Sequence, residues 1–123
     1  MDTVHWEYSS ATPGTSPVSV PVYDKQGTAI TLESNDELFI TSFSLQVGDT
    51  AMRADLFIDY NAGGTLTAGE RIAGGTFAAN GGIAKDVSIN PIPLPKGSNL
   101  LYVQFGSNAQ GDVICHGYRR KGV

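Results

Sequence analysis

The amino-acid sequence predicts an all-β protein, an antiparallel β-sandwich of about eight strands with a jelly-roll or, alternatively, an immunoglobulin-like strand order. Two observations carry this prediction. Short apolar runs are interrupted along the whole chain by Gly, Asn, Asp and Pro, with 15 glycines and 6 prolines, whereas charged residues make up only 16%. No long segment spaces its apolar residues as a helix does, and none approaches the ~20 apolar residues of a membrane span. The 123 residues suffice for one two-layer core, and we expect a soluble protein.

The first seventeen residues predict an extended arm, ahead of a sandwich domain at 18–118 and a basic tail at 119–123. Residues 4–8 form a short apolar patch, but residues 9–17 are small and polar with two prolines, a composition that builds neither helix nor core. The segment after Met1 is acidic and polar, so we expect no signal peptide. Such an arm is held by its own domain or by a neighbouring subunit, and we expect the neighbour.

Two short runs follow the arm. Residues 18–23 alternate valine with small residues, and Pro21 places this run at a sheet edge because proline cannot donate to a strand ladder. A turn signal at 24–27 then leads into a second extended run at 28–32.

The clearest half-buried strand is residues 38–47. It follows a polar loop in which Asp36 and Glu37 are expected to be solvated. Alternation along this strand predicts one buried face, made of Phe39, Thr41, Phe43, Leu45 and Val47.

A pair of strands is predicted at the centre of the chain, at 54–59 and 70–72, joined by a glycine-rich turn. Beyond it, Asn80 and two glycines form a strong hairpin signal before a run at 85–89. Three prolines in five residues predict an unpaired connection over 90–97. The last two strands are expected at 101–105 and 113–118.

The turn between the central strands has the spacing of a calcium loop. Asp59, Asn61, Gly64, Thr67 and Glu70 stand at the first, third, sixth, ninth and twelfth positions, with Thr65 at the seventh, and to that extent the segment resembles an EF-hand loop. Gly63 stands where a side-chain oxygen is usual, and the flanks are strands. Two interpretations stay open: a hairpin loop without metal, or a Ca²⁺ site with a Kd of roughly 10⁻⁴–10⁻³ M. Its candidate ligands are Asp59, Asn61, Thr65, Thr67 and Glu70, and we expect no other cofactor.

No catalytic motif is present, and we expect that the chain is not an enzyme. Cys115 is the only cysteine, so an internal disulfide is excluded, which is consistent with synthesis in a reducing cytoplasm. We expect Cys115 to be a small core residue and His116 to face the other side of its strand. Zinc would lack ligands there, since only His5 remains to supply another.

The charge is unevenly distributed. The first 118 residues hold all twelve acids and five of the eight cations and therefore carry −7, whereas the last five residues carry +3. An acidic body argues against nucleic-acid binding, which depends on neutralising phosphates. We expect the basic tail to contact an acidic partner.

Arm, cysteine-poor sandwich and basic tail together resemble the layout of a small cement, or decoration, protein of a tailed-bacteriophage head. The resemblance covers the whole chain but includes no signature motif. It implies a virion protein, made in the host cytoplasm, that binds the major capsid protein as a homotrimer on the outer capsid and bridges neighbouring subunits. The predicted contact residues in the arm and tail are Val4, His5, Trp6, Tyr8, Arg119, Arg120 and Lys121.

An alternative from a different class is a carbohydrate- or receptor-binding sandwich, such as a fibre tip. In that protein the 59–70 loop, with Tyr60 or Trp6, would face a sugar, and a structural Ca²⁺ would order the loop. Calcium-dependent glycan binding would favour the module, whereas saturable binding to assembled capsids would favour cement.

Overall fold

The chain forms two antiparallel sheets packed face to face, seen in a computed structural model that describes residues 1–61 and 66–122. In these ranges ten strands are found: β1 Asp2–Ser10, β2 Val18–Ser19, β3 Val22–Asp24, β4 Glu37–Val47, β5 Met52–Ile58, β6 Arg71–Phe77, β7 Gly82–Asp86, β8 Ile92–Pro93, β9 Leu101–Phe105 and β10 Gly111–Arg120. A 3-10 helix, Ala68–Glu70, precedes β6. None of the described helices has the length and apolarity to cross a membrane.

Sheet A has the strand order β3-β1-β10-β4-β7, and β8 also pairs with β4. Sheet B has the order β2-β9-β5-β6. When β3 and β8 are set aside and the other eight strands are counted in chain order, the sheets read 1-8-3-6 and 2-7-4-5. This is the strand order of a jelly roll. The predicted β-sandwich is therefore confirmed, with β3 added at one edge of sheet A.

The core lies between the sheets and is formed by aliphatic and aromatic side chains from both. Its largest fully buried members are Trp6, Phe105, Leu38, Ile40, Leu45, Leu56, Ile58 and Leu101. Cys115 is also fully buried, as predicted. Alternating inward residues on β1, β4, β5, β9 and β10 supply most of this set, which is the burial pattern expected for strands with one covered face.

The predicted arm is wrong for residues 2–10. These residues form β1, which lies inside sheet A between β3 and β10 and runs beside β10 over nine residue pairs. Val4 and Trp6 are both 0% exposed, so this segment belongs to the core. The sandwich therefore begins at residue 2, because the short apolar patch that the sequence showed is enough to fill one face of a strand. Only residues 11–17 connect without strand structure.

The predicted buried face of the longest strand is wrong at its first half. Leu38 and Ile40 point into the core there, while Phe39 is only partly buried. Opposite β10, the residue pairs jump from Ser42 with His116 to Ile40 with Gly117, so one extra residue, Thr41, stands in β4. A bulge of this kind shifts the alternation of inward and outward side chains by one residue, so the residues before Thr41 face the opposite way from the prediction. Phe43, Leu45 and Val47 then point inwards as predicted.

Two segments cross from one sheet to the other, although the sequence predicts that the first is a single strand and the second a hairpin. The run at 18–23 divides at residues 20–21, with β2 in sheet B and β3 in sheet A. The turn at Asn80 is likewise no hairpin, since it links β6 of sheet B to β7 of sheet A, although Asn80 does adopt φ 62°. A turn motif fixes the local reversal of the chain but not the strand beside which the next strand lies.

Two further expectations about pairing are wrong. Residues 28–32 form no strand, and Ala29 makes a single bridge to Tyr23. The proline-rich segment 90–97 does pair, because β8 lies beside β4 and the N–H of Leu94 donates to the carbonyl oxygen of Leu38 at 2.9 Å. Asp36, expected to be solvated, is 3% exposed.

Candidate functional site

The two carboxylates at the ends of the 59–70 loop are brought together in the protein interior. Asp59 follows β5 directly and donates its N–H to the carbonyl oxygen of Leu100 at 2.9 Å. Glu70 is the last residue of the 3-10 helix that leads into β6. The exposed fractions of Asp59 and Glu70 are 1% and 6%, and their carboxyl groups lie within hydrogen-bonding reach of each other. Pairing of β5 with β6 therefore closes the loop around two acids.

Thr67 holds one oxygen of the Glu70 carboxylate. Its N–H and its hydroxyl donate to Oε1 of Glu70 at 2.9 and 3.2 Å. These bonds, first the one from the Thr67 backbone, lower the pKa of Glu70 from its ordinary value of 4.5, although burial acts in the opposite direction. The second oxygen, Oε2, is buried and has no hydrogen-bond partner among the described residues.

The five predicted calcium ligands are only partly assembled. Asp59 and Glu70 meet, Asn61 and Thr67 are exposed on the same loop, and Thr65 lies outside the described residues. In the part of the chain that the structure describes, no group of three His, Cys, Asp or Glu side chains could hold a metal ion. An ion at this loop would therefore need amide, hydroxyl or main-chain oxygens beside the two carboxylates.

The predicted contact residues of the arm divide between the two faces of β1. Val4 and Trp6 are wrong as contact residues, because both are fully buried in the core of their own chain. Trp6 is held there by a 2.8 Å hydrogen bond from Nε1 to Oδ1 of Asn99. His5 and Tyr8 are partly exposed. Tyr8 stacks on Phe105 at a centroid distance of 6.5 Å, which leaves His5 as the accessible member.

The basic residues of the predicted tail lie at the end of β10 and beyond it. Arg119 pairs with Asp2 and Arg120 with Glu37, each at 2.7 Å between Nη2 and a carboxylate oxygen. Arg120 also lies over the ring of Phe39 at 5.1 Å. Lys121 is exposed. Two of the three cations are thus already paired within the chain, which reduces the charge available to an acidic partner.

A row of polar side chains crosses the outer face of sheet A. Strand register places Tyr23, His5, His116, Ser42 and Asp86 side by side on five neighbouring strands. The rings of His5 and Tyr23 lie 5.5 Å apart. His116 is exposed on this face while its neighbour Cys115 is buried on the other, as the sequence predicted. The row ends at β7, so the outer face and this edge of the sheet form one continuous surface.

The edge strand β7 is an accessible element that the sequence located only in part: the run predicted at 85–89 is a strand at Gly82–Asp86, and its place at a sheet edge was not predicted. All five of its residues, Gly82–Asp86, are exposed. The N–H of Val47 donates to the carbonyl oxygen of Gly81 at 3.0 Å, and the N–H of Val87 donates to the carbonyl oxygen of Thr41 at 2.8 Å. Because hydrogen-bonded pairs alternate along an antiparallel ladder, the residues between them at 83 and 85 bond to β4, and those at 82, 84 and 86 direct their N–H and C=O groups away from it.

The sequence signal for β7 is weak, since the strand has no alternating apolar pattern and overlaps the glycine turn. Its charges are Lys85, on the inner-facing side, and Asp86, on the outer. Ile83 is 39% exposed, and Ile114 on β10 is 41% exposed. A shallow groove of about 430 Å³ lies between β10, β4 and β7, lined by Ser42, Phe43, Ser44, Ala84, Lys85, Asp86, Ile114 and His116. This surface is suited to a strand or a flat protein face, because it encloses no deep pocket for a small molecule.

Comparisons with models of known protein families, with curated proteins and with solved structures find no match to this chain.

Proposed function

We propose that this chain is a virion structural protein that binds the outside of a bacteriophage capsid and bridges neighbouring capsid subunits. The observation that carries the proposal is the edge of β7, which no strand within the described residues covers and which lies beside the outer face of sheet A. Jelly rolls are a recurrent architecture of capsid proteins, and an exposed strand edge offers main-chain donors and acceptors to another chain. This surface takes the role that the sequence assigned to an arm.

The contact at β7 is a strand addition. A capsid segment in extended conformation would bond to the outward N–H and C=O groups of Gly82, Ala84 and Asp86, and its side chains would then set specificity. Lys85 protects the edge from indiscriminate pairing, so a matching strand requires an acidic side chain near it. Each contact is short, but many copies on one shell bind through multivalency.

The proposal assigns a non-enzymatic role to the same surface. The groove between β10, β4 and β7 is open, and its titratable side chains are Lys85, Asp86 and His116. His116 has Ser42 and His5 as its register neighbours. Nucleophilic catalysis requires a nucleophile, a base and an orienting group in a site that excludes water. We therefore assign the surface to binding.

Ala84→Pro tests the proposal at a single backbone group. The Ala84 N–H points away from β4, so proline removes a donor from the free edge and leaves the pairing with β4 intact. We expect this variant to keep its melting temperature within a few degrees and to lose at least tenfold in affinity for expanded capsids in co-sedimentation. Ala84→Ser, which keeps the N–H, is the matched control and should bind as wild type. Equal binding by both variants and wild type would overturn strand addition at β7, and no binding by wild type would overturn the capsid proposal.

The homotrimer and the major capsid protein as partner belong to the same proposal. Native mass spectrometry of the isolated chain measures the number of copies, and cross-linking on capsids identifies the partner. A trimer that binds the major capsid protein is the expected result.

A carbohydrate- or receptor-binding module is the second candidate, and one observation favours it. Tyr60, which follows the buried Asp59 in the chain, is 49% exposed. Aromatic rings of this kind bind the apolar faces of sugars. A glycan array with wild type and Tyr60→Ala tests it: loss of a specific signal in the variant supports the module, and absence of any signal in wild type rejects it.

A further inference from the structure

The environment of Glu70 combines burial with a negative charge that no basic side chain compensates. Glu70 is 6% exposed and Asp59, its neighbour, is 1% exposed. Within the described residues, no Lys, Arg or His makes an ion pair with Glu70. Burying one carboxylate without compensation is costly, and a second carboxyl group beside it adds like-charge repulsion.

The buried oxygen Oε2 of Glu70 marks the place where a proton or a cation would compensate the negative charge. Oε1 accepts two hydrogen bonds from Thr67, so both of these donors are used on one oxygen of the carboxylate. Oε2 is buried and has no hydrogen-bond partner among the described residues, although the Asp59 side chain and the Tyr60 N–H lie near the Glu70 carboxylate. Two arrangements relieve this: one proton shared between the acids, or one cation between them.

We propose that the second arrangement holds and that Asp59 and Glu70 form the anionic half of a Ca²⁺ site. This inference goes beyond capsid binding and does not depend on it. The spacing of Asp59, Asn61, Thr67 and Glu70 at the first, third, ninth and twelfth positions of a calcium loop supports it independently of the burial.

The donor set selects the ion. Every donor is an oxygen, which excludes a preference for zinc or copper. Two carboxylates with amide, hydroxyl and carbonyl oxygens on a loop suit the six to eight flexible contacts of Ca²⁺ better than the strict octahedron of Mg²⁺. With only two charges, the site should bind in the range of roughly 10⁻⁴–10⁻³ M.

Terbium luminescence and thermal melts test the site on the whole chain. Tyr60 lies between Asp59 and Asn61, so Tb³⁺ bound there should emit on excitation of tyrosine. Ca²⁺ should displace the Tb³⁺, whereas Mg²⁺ at the same concentration should not. A ligand at 10 to 100 times its Kd stabilises the folded state, and we expect 10 mM Ca²⁺ to raise the melting temperature by about 5 °C or more over EGTA.

Glu70→Gln is the decisive variant, because the amide keeps an acceptor for Thr67 and removes the charge. It should lose the Ca²⁺-dependent rise and the terbium signal, while Glu33→Gln, an exposed acid, should retain both. If Glu70→Gln fails to fold, native mass spectrometry of wild type decides, with one bound Ca²⁺ per chain expected. No adduct and no melting shift in wild type, or an equal shift in both variants, would overturn the site and leave the shared proton.

Discussion

Nε1 of Trp6 donates a hydrogen bond to Oδ1 of Asn99 at 2.8 Å, which ties the first strand to the loop before β9. The side-chain amide of Asn99 also donates from Nδ2 to the carbonyl oxygen of Val20 at 2.8 Å. One side chain therefore satisfies a buried indole and the backbone at the point where the chain crosses from sheet B to sheet A. Neither bond is visible in sequence, since 93 positions separate Trp6 from Asn99.

Asn99→Ala should destabilise the protein by about 1–3 kcal/mol, because it leaves the buried N–H of Trp6 without an acceptor. Asn108→Ala is the control. Its Oδ1 accepts the N–H of Gly14 at 2.7 Å at an exposed position, so its loss should cost less than about 0.5 kcal/mol. Urea denaturation followed by the fluorescence of the single tryptophan measures both. Equal costs would show that burial of the indole does not determine the effect.

Deletion of residues 1–10 should abolish cooperative folding. Without β1, sheet A loses the strand between β3 and β10, and the core loses Val4 and Trp6. Deletion of residues 121–123, beyond the end of β10, should leave a cooperative transition. Thermal melts by circular dichroism distinguish the two. A truncated chain that still melts cooperatively without β1 would mean that the segment is an appendage after all.

In a sandwich, local sequence patterns specify where strands and turns lie but not which sheet each strand joins. Turn residues and alternation located most strands, because both follow from local backbone geometry. The sheet to which each strand belongs was not predictable. Asn80 and Pro21 both mark a change of chain direction, and the same change occurs in a hairpin within one sheet and in a crossover between two sheets. The arm was misassigned because a strand covered on both edges by distant segments needs few apolar residues of its own.

The candidate site was partly predictable for a related reason. The spacing from Asp59 to Glu70 pointed to a common loop, and pairing of β5 with β6 brings these ends together. The burial of both acids depends on tertiary packing and leaves no mark in the sequence. The edge at β7 was missed because exposure of backbone groups is a property of strand order.

Gly117→Ala should destabilise the protein by about 1–3 kcal/mol through overpacking at the bulge. A Cβ at this position would lie 1.8 Å from the carbonyl oxygen of Phe39, and the backbone cannot move aside as a side chain could. Gly75→Ala is the control, since its nearest contact would be an ordinary 3.9 Å from the ring of Phe77. Chemical denaturation compares the two. A tolerated Gly117→Ala would mean that the bulge at Thr41 can shift.

The stability of the fold should decrease as the pH falls towards 3, in part through Asp36. Its Oδ2 accepts the N–H of Glu33 at 3.0 Å and its Oδ1 that of Gly122 at 3.3 Å, and these bonds lower its pKa from the ordinary value of 3.8. The folded state then binds the proton less readily than the unfolded state, so this stabilisation is present above pH 3.8 and is lost as the pH falls through the lower, folded-state pKa.

Asp36→Asn should therefore flatten the dependence of unfolding free energy on pH below about pH 4. Asp49→Asn, at an exposed position of the loop between β4 and β5, serves as the matched control and should leave the slope unchanged. Denaturation curves at a series of pH values give the slope directly. Identical slopes for Asp36→Asn and wild type would assign the acid sensitivity to other carboxylates.

The thiol of Cys115 should be unreactive in the folded protein and reactive once the chain unfolds. Cys115 is fully buried between Trp6 of β1 and Phe43 of β4 in the register of sheet A, and burial raises the pKa of its thiol to about 12. Because the thiolate is the reactive form, both access and ionisation oppose modification at pH 8. Labelling with a thiol reagent should thus proceed only through opening of the sheet, at a rate that rises with urea in parallel with loss of tryptophan fluorescence. Fast labelling without denaturant would show that β10 separates from β1 or β4 in the native state, and would place the weakest part of the fold at the strand that joins both termini.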